Sequence, residues 1–197
     1  YTTTVANTNF IITTETIFLA LLGYFFLKEK ISLVTLIAII LGMLGVFIIL
    51  GSSLSIQSDE QFIGNLVAFI MPISFAVLII VVRKYPQVDM MPAQFTAGVT
   101  AGIIGFFIAD QILISQHDLF LAFLAGFFQI GFGFILITIG SQTTPAAVVG
   151  VLMLTESVFG PLWAWLFINE IPPIGVLVGG CIIIFSILFQ TFLNKNK

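Results

Sequence analysis

The chain has 197 residues, of which 59% are apolar and only 8% charged, with a formal net charge of −3. A soluble domain carries about 25% charged residues, so this composition argues against an ordinary soluble fold. No basic patch points to nucleic acid, and no glycine-rich phosphate loop precedes a lysine, which argues against ATP-driven work by this chain.

The apolar residues fall in long runs. A bilayer core of about 30 Å needs roughly 20 apolar residues per helix, and seven runs qualify: 5–27, 31–50, 62–82, 92–109, 119–139, 145–168 and 173–193. Runs such as Val34 to Leu50 do not alternate as barrel strands would. Backbone polar groups in hydrocarbon must pair within the protein, so these runs predict helices and an all-α polytopic membrane protein.

The first span opens with Asn7, Thr8, Asn9, Thr13, Thr14 and Thr16, polar around most of its circumference. Such a surface either lines water or packs against other helices, not lipid. Glu15 sits near its middle, and Lys28, Glu29 and Lys30 form the loop after it. The third span holds Asn65, Ser74 and Pro72, and the proline predicts a kink because it removes a backbone donor. Arg83 and Lys84 close that span. In the fourth, Gly98 and Gly102 form a small-xxx-small pattern suited to close helix contact. His117 beside Asp118 falls far short of a metal or triad signature. Gln129 lies mid-span in the fifth, among Gly126, Gly131 and Gly133, as a candidate for the path or for a plain interhelical hydrogen bond. The sixth carries Thr155 and Glu156 mid-span. Trp163 and Trp165 near its end, like Tyr24 in the first span, are expected interfacial anchors. Glu170, Pro172 and Pro173 make the last turn, and the seventh span contains Gly175, Gly179 and the lone Cys181, which has no intramolecular disulfide partner.

The basic residues orient the chain. Lys28, Lys30, Arg83, Lys84, Lys195 and Lys197 all fall on one side when crossings are counted. The other side has Asp59, Glu60, Asp110, Asp118 and Glu170 and no Lys or Arg. Cytoplasmic loops collect Lys and Arg, so the C-terminus is expected to be cytoplasmic and Tyr1 external. An external first residue with neither initiator Met nor signal peptide predicts further helices upstream.

The segment from Thr13 aligns without gaps onto the segment from Leu154 at an offset of 141. Thr14 matches Thr155, Glu15 matches Glu156, Phe18 matches Phe159, Phe26 matches Phe167 and Glu29 matches Glu170. Of five glutamates, four form two matched pairs with the same internal spacing, which chance matching of apolar helices does not explain. Five crossings separate the copies, so they point in opposite directions, an inverted repeat of the kind secondary transporters use. The predicted domains are 1–52, the last two helices of a first repeat; 61–193, a complete five-helix second repeat; and 194–197, a tail. Three helices upstream would complete the first repeat and bring the total to ten.

A mid-membrane carboxylate costs about 2.5–3.5 kcal/mol on insertion scales, so Glu15 and Glu156 should face protein or a wet cavity. Two readings stand side by side. The pair lines a translocation path, binding a cationic or polar group or carrying protons, or each acid bridges neighbouring helices. With no paired catalytic groups in view, an enzyme is not expected.

The pattern Thr-Glu-Thr/Ser-x-Phe, the aromatic run after it and the loop glutamates Glu29 and Glu170 resemble the EamA-type drug/metabolite transporters. The segments GNLVAFIMPISFAVLIIVVRK from Gly64 and SQTTPAAVVGVLML from Ser141 carry the same likeness. The family's proline after the first glutamate is absent from both copies, and Lys28 and Asn169 stand at its turn glycine. The resemblance implies ten helices in two inverted five-helix repeats, this chain corresponding to helices four to ten. It places Glu15, Asn65, Gln129 and Glu156 near a central cavity, with Thr14 and Thr155 as their neighbours. It also implies a secondary transporter, often an exporter, of amino acids, other metabolites or drugs by alternating access. Expected partners are a small-molecule substrate, the lipid bilayer, a coupling proton and a second copy in a homodimer, with no cofactor and no metal. The expected location is the cell membrane, as in a bacterial inner membrane. The competing reading is a membrane scaffold or accessory subunit that moves nothing.

Overall fold

A computed structural model describes residues 5–50, 59–109, 115–169 and 171–193. Tyr1, the loop acids Asp110 and Glu170, and the tail 194–197 lie outside these. The elements are α1 (Val5–Thr13), α2 (Glu15–Leu27), α3 (Leu33–Leu50), α4 (Asp59–Ala68), α5 (Ile70–Lys84), α6 (Met91–Ile108) and α7 (Gln116–Leu124). A π-helical stretch (Ala125–Phe132) follows, then α8 (Gly133–Thr143), α9 (Ala146–Met153), α10 (Glu156–Ile168) and α11 (Ile174–Leu193). No strand occurs among the described residues.

These elements join into seven helices long and apolar enough to cross a membrane: Thr8–Leu27, Leu33–Leu50, Phe62–Lys84, Met91–Ile108, Gln116–Thr143, Ala146–Phe167 and Ile174–Leu193. The protein is therefore all-α and polytopic, as its apolar runs predict. The fifth helix is longer than its apolar run. It starts early because Ser115 accepts the Asp118 N–H at 3.1 Å and caps it, and it runs on to Thr143, just ahead of Pro145. Pro72 acts as expected: with no N–H to bond the Ala68 carbonyl, it leaves a break at Phe69 between α4 and α5.

The chain forms two compact units, residues 82–143 and the remainder. In the first, α6, α7 and the π stretch bury none of their residues, and their apolar side chains face outward, as a lipid solvent allows. A Cβ at Gly98 or Gly102 would meet nothing within 4 Å. That small-xxx-small pair therefore seats no helix among the described residues, contrary to what its spacing suggests.

The second unit holds both repeat copies, and the offset of 141 governs its geometry. α2 and α10 start at residues 15 and 156, and they end at equivalent positions, 27 and 168. Lys28 and Asn169, also 141 apart, are the only non-glycine residues with positive φ among those described, at 56° and 58°. The left-handed cap that usually takes glycine is kept in both copies without it. The buried face of α11 is Gly179, Gly180, Ile183, Ser186 and Gln190. Subtracting 141 gives Ala38, Ile39, Gly42, Gly45 and Ile49, all buried on α3.

α3 packs on α11 through these faces. A Cβ at Gly179 would stand 2.5 Å from the Gly45 carbonyl oxygen, and one at Gly45 would stand 2.7 Å from that of Gly179. Gly42 faces Ser186 and Gly45 faces Gly179, so rising numbers on one helix meet falling numbers on the other. The equivalent helices run antiparallel, so the copies are inverted. Val46, Ile49, Leu154 and Ile183 form one buried cluster around this seam, and Ala20, Ala38, Ile39, Ala147 and Val151 form another.

Candidate functional site

The first and sixth spans are each interrupted near their middle, in the same way. At the first break the Thr14 N–H bonds the Ile11 carbonyl at 3.0 Å and its hydroxyl donates to the same oxygen at 2.5 Å. At the second, the Thr155 N–H bonds the Leu152 carbonyl at 3.1 Å and its hydroxyl donates to it at 2.7 Å. Both threonines thus turn their hydroxyls back onto their own helix rather than into open space. The next residue in each copy is the glutamate, which opens the following helix. The helix break fixes where the acids stand.

Glu15 and Glu156 line one cavity of about 170 Å³. Asn9, Ile12 and Thr13 of α1, Ile49 and Leu50 of α3, Met153, Leu154, and Ser157, Gly160 and Pro161 of α10 complete its wall. Among the described residues no lysine, arginine or histidine contributes to it. The two acids differ in setting. Glu15 is 5% exposed, and no hydrogen-bond donor reaches its carboxyl among the described residues, whereas Glu156 is exposed.

The two equivalent crossings between the copies also differ. α2 crosses α9 in tight contact: the buried Thr16 hydroxyl donates to the Gly150 carbonyl at 2.9 Å. A Cβ at Gly150 would stand 2.8 Å from the Thr16 Cα, and one at Gly23 would stand 3.0 Å from the Ala146 Cβ. Leu19, on the same face, is fully buried. Glu29 adds a second tie, its Oε2 accepting the Ala146 N–H at 2.8 Å, so a carboxylate caps the positive end of α9. Adding or subtracting 141 turns this crossing into that of α10 with α1, where Ser157 replaces Thr16, Asn9 replaces Gly150 and Gly160 replaces Leu19. Asn9 and Gly160 are exposed there, and Asn9, Ser157 and Gly160 all face the cavity. Among the described side chains, one crossing is shut and its equivalent is parted around the acids.

Of the other residues singled out in the sequence, Asn65 is half-buried on α4 and does not line this cavity. Gln129 belongs to the separate unit 82–143, where it is exposed within the π stretch. Ile49 and Leu50 were not singled out because nothing marks one aliphatic residue from the next in an apolar run. Pro161 did have a signal, being a proline inside a span.

A likeness to known proteins covers nearly the whole chain. It is 28% identical over 190 residues to an uncharacterized transporter of Methanothermobacter thermautotrophicus, covering 90% of this chain and 53% of that one. The chain therefore spans about half the length of that curated relative. A protein of known crystal structure shares the fold with a TM-score of 0.85 at 17% identity, over 98% of this chain and 69% of the other. The EamA-like transporter family matches over residues 1–51 and 62–192, which take in the acid-lined cavity and both copies of the repeat. This chain is a member of the EamA-like transporter family.

Proposed function

We infer that the chain is the working part of a secondary transporter that moves a small molecule by alternating access around Glu15 and Glu156. The observation that carries this reading is the unequal state of two equivalent crossings. In an inverted repeat, exchanging the conformations of the copies produces the opposite-facing state without new structure. Here the crossing of α2 with α9 is held shut through Thr16 and Gly150, and its equivalent, α10 with α1, is parted at Asn9 and Ser157. With a cytoplasmic C-terminus, the shut crossing lies on the cytoplasmic side and the acids face outward. In the exchanged state the Ser157 hydroxyl would donate to the Asn9 carbonyl, as Thr16 does to Gly150, and the face around Leu19 would open. A scaffold has no need of such a difference between copies.

The test uses the full-length protein in liposomes, free of other cysteines. Asn9→Cys with Ser157→Cys should form a disulfide on oxidation, trapping the exchanged state. A third cysteine at Leu19 should then react with maleimide several-fold faster, and slow again on reduction. If Leu19→Cys stays equally protected with the pair locked, the crossings are not coupled and the transport reading fails.

A further inference from the structure

We propose that the cavity takes a small amphipathic organic cation, an ammonium carried on a compact apolar group. This deepens the transport reading above and rests on it. The chain's six basic residues are Lys28, Lys30, Arg83, Lys84, Lys195 and Lys197, all at span ends, in loops or in the tail. Among the described residues the cavity wall contains two carboxylates and no base. An anion, or the carboxylate of a zwitterion, would meet like charge in a medium of low dielectric.

A second observation is independent of the charge count. Glu15 is more than nine-tenths buried, lines the cavity and has no donor of its own among the described residues. A buried polar group without a partner is costly, which leaves the site asking for N–H donors and positive charge. An ammonium supplies both, whereas an alcohol supplies one weak donor. Ile49, Leu50 and Leu154 also line the cavity, which favours a ligand with an apolar side. Glu156 is exposed in the same cavity and is placed to meet the cation on entry.

The probes are benzylammonium, benzyl alcohol and benzoate, which share a ring and differ in charge. Each is titrated against the purified full-length protein, with thermal stability read at every concentration. Benzylammonium should bind about tenfold or more tighter than benzyl alcohol, the difference a charged hydrogen bond makes, and benzoate should bind weakest. Glu15→Gln should bring benzylammonium down to the level of benzyl alcohol and leave the alcohol unchanged. Glu156→Gln, at an exposed position, should weaken the cation alone. Equal binding of ammonium and alcohol, or a preference for benzoate, overturns the cation assignment and leaves the transport reading to its own test. Tight benzylammonium binding with Leu19→Cys permanently protected would keep the cation site and remove transport.

Discussion

Glu29 shows how a residue at a helix end can matter to a crossing far away in sequence. Its carboxylate stands beside Lys28 and Lys30 in the chain, and it reaches the Ala146 N–H, 117 residues on. An anion at a helix N-terminus meets unsatisfied N–H groups and the positive end of the helix dipole together. Glu29→Ala should therefore loosen the α2–α9 crossing by about 1–2 kcal/mol. Amide hydrogen exchange at Ala146 and Ala147 would register this as faster exchange, and Glu29→Gln, which keeps an acceptor, should lie between. Unchanged exchange in Glu29→Ala would mean the contact does not hold the crossing. The glutamate pairing was legible in the sequence because acids are rare in apolar helices. Their unequal burial was not, since Thr14-Glu15-Thr16 and Thr155-Glu156-Ser157 are chemically almost the same.

Helices in lipid gain little from hiding apolar surface, so close contact depends on small residues that let backbones approach. The α3–α11 seam is built this way, with Gly45 and Gly179 back to back. Gly179→Val must displace the Gly45 backbone or the Ile49 side chain, and should cost about 1–3 kcal/mol as overpacking does. Gly98→Ala has open space for its Cβ and should be neutral or slightly stabilising, by up to about 1 kcal/mol through helix propensity. Thermal unfolding of the two variants in micelles separates them. Equal midpoints would remove the special standing of the seam. The same motif thus has two outcomes in one chain. Spacing alone does not tell whether a facing helix is present, so the Gly175–Gly179 and Gly98–Gly102 patterns were indistinguishable before the fold was known.

Across the whole molecule, the basic residues predict a cytoplasmic C-terminus. A fluorescent protein fused after Lys197 of the full-length chain should therefore be bright, and alkaline phosphatase fused there inactive; the reverse result would turn the cavity to the other side. By itself the sequence determined the seven spans, because hydrophobic length is a local property that the bilayer thickness reads directly. It also determined the repeat, which the structure follows residue for residue through helix starts, breaks and left-handed caps. Only the tertiary structure decided which crossing is shut, that the acids share a cavity, and that Thr14 and Thr155 serve the helix breaks. Those outcomes depend on which helices touch across more than a hundred residues of chain, and two nearly identical segments remain equivalent until packing makes them different.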